Sequence, residues 1–326
     1  MKIKKIKALG LSSGGLDSIL AGVFLRKQGI YVEWLSFETP FFSAKKAKEA
    51  SDMAGIPIII KNITKQYIKM LKNPACGYGK NLNPCMDCHA LMFAEAGEIM
   101  RQKGFDFLFS GEVAGQRPMS QTKNAMRYVE KKSGFAGYIL RPLSAKKLPE
   151  TIPEKKGWIQ KEQMLNFYGR SRKPQIQLAR DFNITDYPAP AGGCLLTDKG
   201  FSDRLKDLFM GREEYEEREF HLLKYGRHIR IDEKTKIIIG RNQKDNENIL
   251  SLYSKEKDII IKIKDIPGPV GLIANAKSKE DIKTAAAVCA CYCNKIKQGE
   301  AVKAVIDSFD KTYTMEGVYP VKKSPI

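Results

Sequence analysis

Apolar and polar positions in the first half of the chain fall into two alternating periods. Short, nearly continuous apolar runs at residues 3–11, 31–37, 56–60, 105–109 and 138–140 have the length of buried strands. Between them lie stretches with helical spacing at 18–28, 44–54 and 86–103. In the first of these, Ile19, Leu20, Val23 and Phe24 share one apolar face. Residues 73–85, rich in Asn, Pro and Gly, read as a loop, and Arg141-Pro142 closes the last strand. This order predicts an α/β fold, a doubly wound parallel sheet assembled from βαβ units.

The pattern then changes. Residues 144–158 carry loop signals, and two short helical stretches lead to Pro188-Ala189-Pro190-Ala191-Gly192-Gly193, the clearest linker in the chain. Beyond it come a charged helix near 202–224, short strands at 237–239 and 259–263, a Pro267-Gly268-Pro269 turn and an Ala-rich helix at 278–295. The expected domains are therefore 1–186, a linker with its connecting helix at 187–225, and a smaller α+β domain at 226–326. No internal repeat or low-complexity tract is visible.

Charge sharpens the picture. The net charge is +19, from 56 Lys and Arg against 37 Asp and Glu; residues 1–186 hold +15 of it and residues 187–326 only +4. An excess of that size points to a polyanion, with nucleic acid ahead of a membrane because no amphipathic anchor or spanning run is present. A merely Lys-rich surface is the plainer explanation. The basic start lacks the apolar core of a signal peptide, so a cytoplasmic protein with reduced thiols is expected.

Ser13-Gly14-Gly15-Leu16-Asp17-Ser18 sits where the first strand meets the first helix. Glycines let backbone approach a phosphate, helix amides supply donors, and Asp17 suits Mg²⁺. Neither a Walker Gly-Lys-Ser/Thr nor a dinucleotide Gly-x-Gly-x-x-Gly is present. The hexapeptide resembles the SGGxDS signature of the PP-loop ATP pyrophosphatases, which adenylate a carbonyl oxygen on their substrate. The resemblance implies ATP binding by Ser12, Ser13, Gly14, Gly15, Leu16, Asp17 and Ser18, joined by Gly111 and Gln116. Arg117 and Gln121 are further candidates for the pocket lining.

The chain has seven cysteines. Cys85 and Cys88 form a C-x₂-C pair at the mouth of a helix, where thiolates are favoured. Cys194, in a small-residue loop, could bring in a third sulfur. Three thiolates suit a 4Fe-4S cluster with one open iron. Zinc would need a fourth ligand, from Cys76 or His89, and a metal-free persulfide with a resolving cysteine is the third option. Cys289, Cys291 and Cys293 read as small apolar core residues.

Asn83-Pro84-Cys85-x-x-Cys88 resembles an element of the 2-thiouridylases. Gly111-Glu112-Val113-Ala114-Gly115-Gln116, Ser120-Gln121-Thr122 and Leu140-Arg141-Pro142-Leu143 resemble stretches of the 4-thiouridine synthases. Together they imply a tRNA sulfurtransferase with catalytic Asp17, Cys88 and Cys194, using ATP, Mg²⁺ and a cluster on Cys85, Cys88 and Cys194. Its sulfur would come from a cysteine desulfurase, a sulfur carrier or free sulfide. No N-terminal THUMP-type domain and no C-terminal rhodanese domain are expected. Ile239-Gly240-Arg241-Asn242 with Asp265-Ile266-Pro267-Gly268 resembles the NFACT RNA-binding domain, which implies RNA contact by Arg241 and Asn242. Arg117, Lys123, Arg170, Arg172 and Lys173 are the expected tRNA contacts of the first half. The rivals are a PP-loop ligase or amidotransferase acting on a small metabolite, and a non-catalytic RNA-binding protein.

Overall fold

Strand β1 (Lys7–Leu11) shows how the first half folds. Its residues alternate between two faces, Ala8 packing into one core and Leu9 into another. β2 (Tyr31–Glu38) splits likewise, Val32 and Trp34 against Leu35 and Phe37. A strand buried on both faces needs helices on both sides. They are α1 (Leu16–Lys27), α2 (Lys45–Ala54), α3 (Thr64–Lys72), α4 (Cys85–Lys103), α5 (Lys123–Ser133), α6 (Ile152–Lys155) and α7 (Lys173–Asp181). With β3 (Ile58–Asn62), β4 (Phe107–Ser110) and β5 (Ile139–Leu140) the strands form a parallel sheet of order β3-β2-β1-β4-β5.

In this computed structural model the described residues are 5–189, 194–210, 212–233, 235–274, 278–297 and 299–326. They divide into two compact units between Thr197 and Asp198. The start of the first expected strand and the Pro190–Gly193 part of the expected linker lie outside the described residues. The apolar run at 56–60 pairs two residues later than expected, as β3. It is an edge strand, so Ile56 is buried ahead of it while Ile60 is exposed. Helices α3 and α5 were not expected, because their apolar stripes are narrow and broken by lysines.

The second unit holds an antiparallel sheet of order β11-β10-β8-β9-β7-β6. Its strands are β6 (Arg227–Arg230), β7 (Lys236–Ile239), β8 (Asp258–Ile263), β9 (Gly271–Ala274), β10 (Val302–Asp307) and β11 (Thr312–Val318). The helices are α8 (Lys199–Phe209), α9 (Glu217–Leu222), α10 (Gln243–Ser251) and α11 (Lys279–Cys291). The single charged helix expected at 202–224 is thus two. Glu216 starts the second with a capping box that includes Glu219, and Arg212 pairs with Glu219 at 2.7 Å. Cys289 and Cys293 lie in the core under α11, with Cys291 half-buried.

Candidate nucleotide pocket and thiol cluster

The order of the first sheet reverses at β1. Ligands of such sheets bind at the carboxyl ends of the strands flanking that point. Four residues carry the chain from β1 to α1. Gly14 has φ +72°, and a Cβ there would lie 2.2 Å from the Lys46 carbonyl oxygen, so only glycine fits. Ser12 Oγ accepts from the Gly14 amide at 3.2 Å and lies 3.3 Å from Ser18 Oγ. Ser18 Oγ donates to the Gly15 carbonyl at 2.8 Å, and the Ser12 amide ties the loop to Leu35 at 2.9 Å. No side chain caps α1, which leaves its first amides pointed at whatever anion the loop holds. A Cβ on Gly111, just past β4, would sit 2.3 Å from the Asp17 backbone, so the second loop presses directly on the first.

These loops border a cavity of about 300 Å³. Ser12, Ser13, Asp17, Ser18 and Gly111 line its polar end, while Phe37, Phe42, Met92 and Phe93 form an apolar wall. Gly14, Gly15 and Leu16 are not on that lining; the Leu16 side chain is core, so only its backbone is available to a ligand. Gln116 acts through Asp17: its Nε2 donates to Asp17 Oδ2 at 2.8 Å, and Gln175 Nε2 donates to its Oε1 at 2.9 Å. Asp17 Oδ1 is buried with no partner. Burial raises the Asp17 pKa, opposed by the Gln116 bond and by the charges of Arg172 and Arg117. An orphaned carboxylate oxygen beside a phosphate-type loop is a fitting ligand for Mg²⁺.

Glu112 closes the cavity on the β4 side. It takes Arg141 Nε at 2.9 Å and Ser110 Oγ at 3.0 Å on one oxygen, and His89 Nδ1 lies 3.0 Å from the other. Burial alone would raise its pKa, but Arg141 and His89 hold it at about 2. His89 lines the cavity, one residue beyond Cys88 on α4.

The first turn of α4 carries the thiols. The segment after the linker is docked by the Leu82 amide on the Leu196 carbonyl at 3.2 Å and Asn81 Nδ2 on the Thr197 carbonyl at 2.8 Å. That docking brings Cys194 to Cys85 and Cys88. All three act on the hydroxyl of buried Tyr67, which hydrogen-bonds Cys88 and is raised well above its ordinary range, first by burial and then by the cysteines. Burial, with Cys194 and Cys85, pushes the Cys88 thiol up to about 12 despite the Tyr67 bond. Burial and Cys85 raise Cys194 as well, against the pull of the Leu196 amide. In donor number and softness this set fits a three-thiolate centre. Among the described residues, though, no group of three or more His, Cys, Asp or Glu side chains is spaced to hold a metal ion. Cys76 is exposed, its amide bound to Asp87, and His89 is engaged by Glu112, so neither stands as a fourth ligand here.

Residues 4–152 match the family model described as thiamine biosynthesis protein (ThiI), and residues 226–326 match that of the NFACT protein RNA binding domain. The chain is thus similar to a ThiI-type PP-loop domain in its first part and to an NFACT-type RNA-binding domain in its last. Among curated relatives, a tRNA-specific 2-thiouridylase MnmA 2 of Thermoanaerobacter sp. (strain X514) is 26% identical over 233 residues, covering 63% of this chain and 59% of the relative. A probable tRNA sulfurtransferase of Acholeplasma laidlawii is 32% identical over 149 residues, covering 42% of this chain and 34% of the relative. The chain thus spans well under two thirds of either relative. A solved 4-thiouridine synthetase–RNA complex with bound ATP aligns at TM-score 0.34 and 20% identity, over 55% of this chain and 51% of that one, too distant to carry weight.

Within the PP-loop domain the expected RNA contacts separate. Arg117 and Arg172 act on Asp17, and Arg117 lines the cavity, so both stand beside the phosphate loop. Gln121 lines it too. Arg170 and Lys173 are exposed near Arg172, and Lys123 is the exposed first residue of α5. In the NFACT-type domain Arg241 pairs with Asp245 at 2.6 Å, and the Asn242 side chain caps α10 by accepting from the Asp245 amide at 2.9 Å. Sequence reading missed Tyr67, Gln175 and the aromatic wall. No local pattern marks them, since each acts only through residues distant in the chain.

Proposed function

We propose that this protein is an ATP-dependent tRNA sulfurtransferase that replaces a uridine carbonyl oxygen, at C2 or C4, with sulfur. One observation carries the reading: a nucleotide-sized cavity on a PP-loop and a cluster of three thiols share helix α4, with His89, Met92 and Phe93 lining the cavity and Cys85 and Cys88 one turn before. Neither a small-molecule ligase nor a passive RNA binder needs that pairing.

ATP would place its phosphates on Ser13 to Ser18 and the first amides of α1, with Arg117 and Arg172 adding positive charge and Asp17 Oδ1 holding Mg²⁺. The aromatic wall would take the base. The uridine oxygen attacks the α-phosphorus and pyrophosphate leaves to ATP's far side. The adenylated carbon then takes sulfur, and AMP departs as the leaving group. Cys85, Cys88 and Cys194 would hold a 4Fe-4S cluster, which when bound supplies an open iron for sulfide. Their own contribution is a set of thiols gathered around Tyr67, two of them half-buried and Cys194 exposed. At about 12, Cys88 stays protonated at neutral pH, so it is inert until metal binding releases the proton to solvent or a base takes it.

The test is incubation with ATP, sulfide or a persulfide donor, and unmodified tRNA transcript. AMP and mercury-retarded, thiolated tRNA are expected together. Wild-type protein that forms no AMP with any tRNA would sink the reading. Anaerobic purification should give about four irons per chain with matching acid-labile sulfide, lost on Cys85, Cys88 or Cys194→Ala.

A further inference from the structure

A groove of about 800 Å³ runs beside β5, outside the nucleotide cavity. One wall is α5, the other residues 147–154. On α5, Lys123, Arg127 and Lys131 recur every fourth residue, so they share a face and follow one another at ~6 Å along the axis. All three are exposed, and among the described residues none has a side-chain partner. Lys147 stands on the facing wall. Of the three wall carboxylates Glu130 is paired with Arg141, while Glu150 and Glu154 keep their charge, so Lys123, Arg127, Lys131 and Lys147 outnumber them four to two.

Arg141 forms part of the groove and is itself buried. Its Nε and Nη1 hold Glu112 and Glu130, and its Nη2 is buried without a partner. Because Glu112 also lines the nucleotide cavity, one residue joins the wall of the groove to the wall of the site. A separate cleft of about 350 Å³ is lined by Met100, Arg101, Phe105 and Asp106 and by residues that neighbour the groove in the chain, Phe135, Tyr138, Lys156 and Trp158; the Ile152 amide on the Gly137 carbonyl at 2.8 Å ties those neighbouring stretches. That cleft presents Tyr138 and Trp158, with Lys156 4.7 Å from the Trp158 ring centre.

We infer that the groove seats the sugar–phosphate backbone of the RNA whose uridine enters the nucleotide cavity, with the separate cleft taking an unpaired base against Trp158. The inference rests on the proposed function for the identity of that RNA. Evenly spaced, unpaired cations beside an aromatic platform are what a flexible nucleic-acid strand requires. A protein partner would want an apolar centre, and none of the exposed large apolar residues lines this groove.

The experiment uses the full chain, an unmodified tRNA transcript and fluorescence anisotropy over a range of salt, comparing wild type with Arg127→Glu/Lys131→Glu. Both side chains are exposed, so the melting temperature should hold and certify the fold. Affinity at low salt should fall on the order of 10- to 100-fold, and the slope of log K against log salt should shrink by about 1.5, the loss of two phosphate contacts. Trp158 supplies a second readout, since Trp34 is buried and the chain has two tryptophans. Transcript should quench its emission, and Trp158→Phe should abolish the change. A double variant that keeps wild-type affinity and slope overturns the inference. So does one that loses binding to polyglutamate but not to tRNA, which would give the groove to an acidic protein. Both readouts are equilibrium binding: groove-dependent affinity without any AMP would remove the proposed function alone, and thiolation by a variant that binds like wild type would remove the groove alone.

Discussion

The nucleotide cavity and the thiol cluster lie within a turn of each other on α4, yet they are built in opposite ways. The phosphate end of the cavity is local, although its aromatic wall is not. Ser12 to Ser18 close their own hydrogen bonds, and the second loop only has to press Gly111 against Asp17. The cluster is assembled across more than a hundred residues, and two hydrogen bonds from Asn81 and Leu82 hold Cys194 in reach. The difference teaches that activation should survive damage to the thiols, while sulfur transfer should depend on both.

The sharpest test of that asymmetry is Asp17→Asn. It removes the charge that would hold Mg²⁺ but keeps an oxygen for Gln116, so AMP formation should fall by about 10³-fold or more. Stability should not fall with it. Because the Asp17 pKa is raised, its favourable contribution is present only below the ordinary carboxylate range and is lost as pH rises through the folded value. At neutral pH the ionised group is a burden that asparagine lacks, so thermal unfolding should occur at or above the wild-type temperature. A variant that melts earlier while still releasing AMP would remove Asp17 from the site.

Cys194→Ser should show the converse. Thiolation should drop by about 10²-fold or more while tRNA-dependent pyrophosphate release in the first turnover stays within about threefold. Parallel loss of both products would mean that cavity and cluster are one device, and the contrast drawn above would fail.

How much of this was legible beforehand follows the same division. The phosphate loop, its strand and its helix could be read because glycine, serine and aspartate act on their immediate neighbours. Cys85 and Cys88 could be read as a pair for the same reason, and Cys194 as a candidate third. What put them around Tyr67 could not, because Tyr67 lies on a short helix whose buried stripe of Thr64, Tyr67 and Leu71 marks a packed face but not which cysteines it meets. In the second unit, β7, β8 and α11 stood out as apolar runs. Strands β6, β10 and β11 did not, since they alternate apolar residues with Arg, Lys, Thr or Glu and are recognisable only once paired.

Glu112 lies on the seam between the two regions, and Glu112→Gln should cost about 3 kcal/mol by leaving Arg141 with one carboxylate. The pH dependence has a definite sign. Glu112 is held at about 2 against an ordinary 4.5, so its stabilisation is complete above 4.5 and disappears as pH falls toward 2. Denaturant titrations of the two proteins should therefore differ by a constant amount at neutral pH and converge across that window. A gap that persists at pH 2 would assign the stability to packing instead of charge.

The smallest effect is expected at Gln116, which touches Asp17 without belonging to the cavity lining. Its amide is the largest influence lowering the Asp17 pKa against burial. Gln116→Ala removes that donor and frees Gln175 Nε2, so Asp17 should need a higher pH to ionise. The acidic limb of the rate of AMP formation should then move upward in pH, while the rate on the plateau drops by about threefold to tenfold. Gln116→Glu places a second carboxylate beside the first and should move the same limb further. If the limb stays fixed in both variants and only the plateau falls, Gln116 positions the loop by packing, and the ionisation that governs activation belongs to another group.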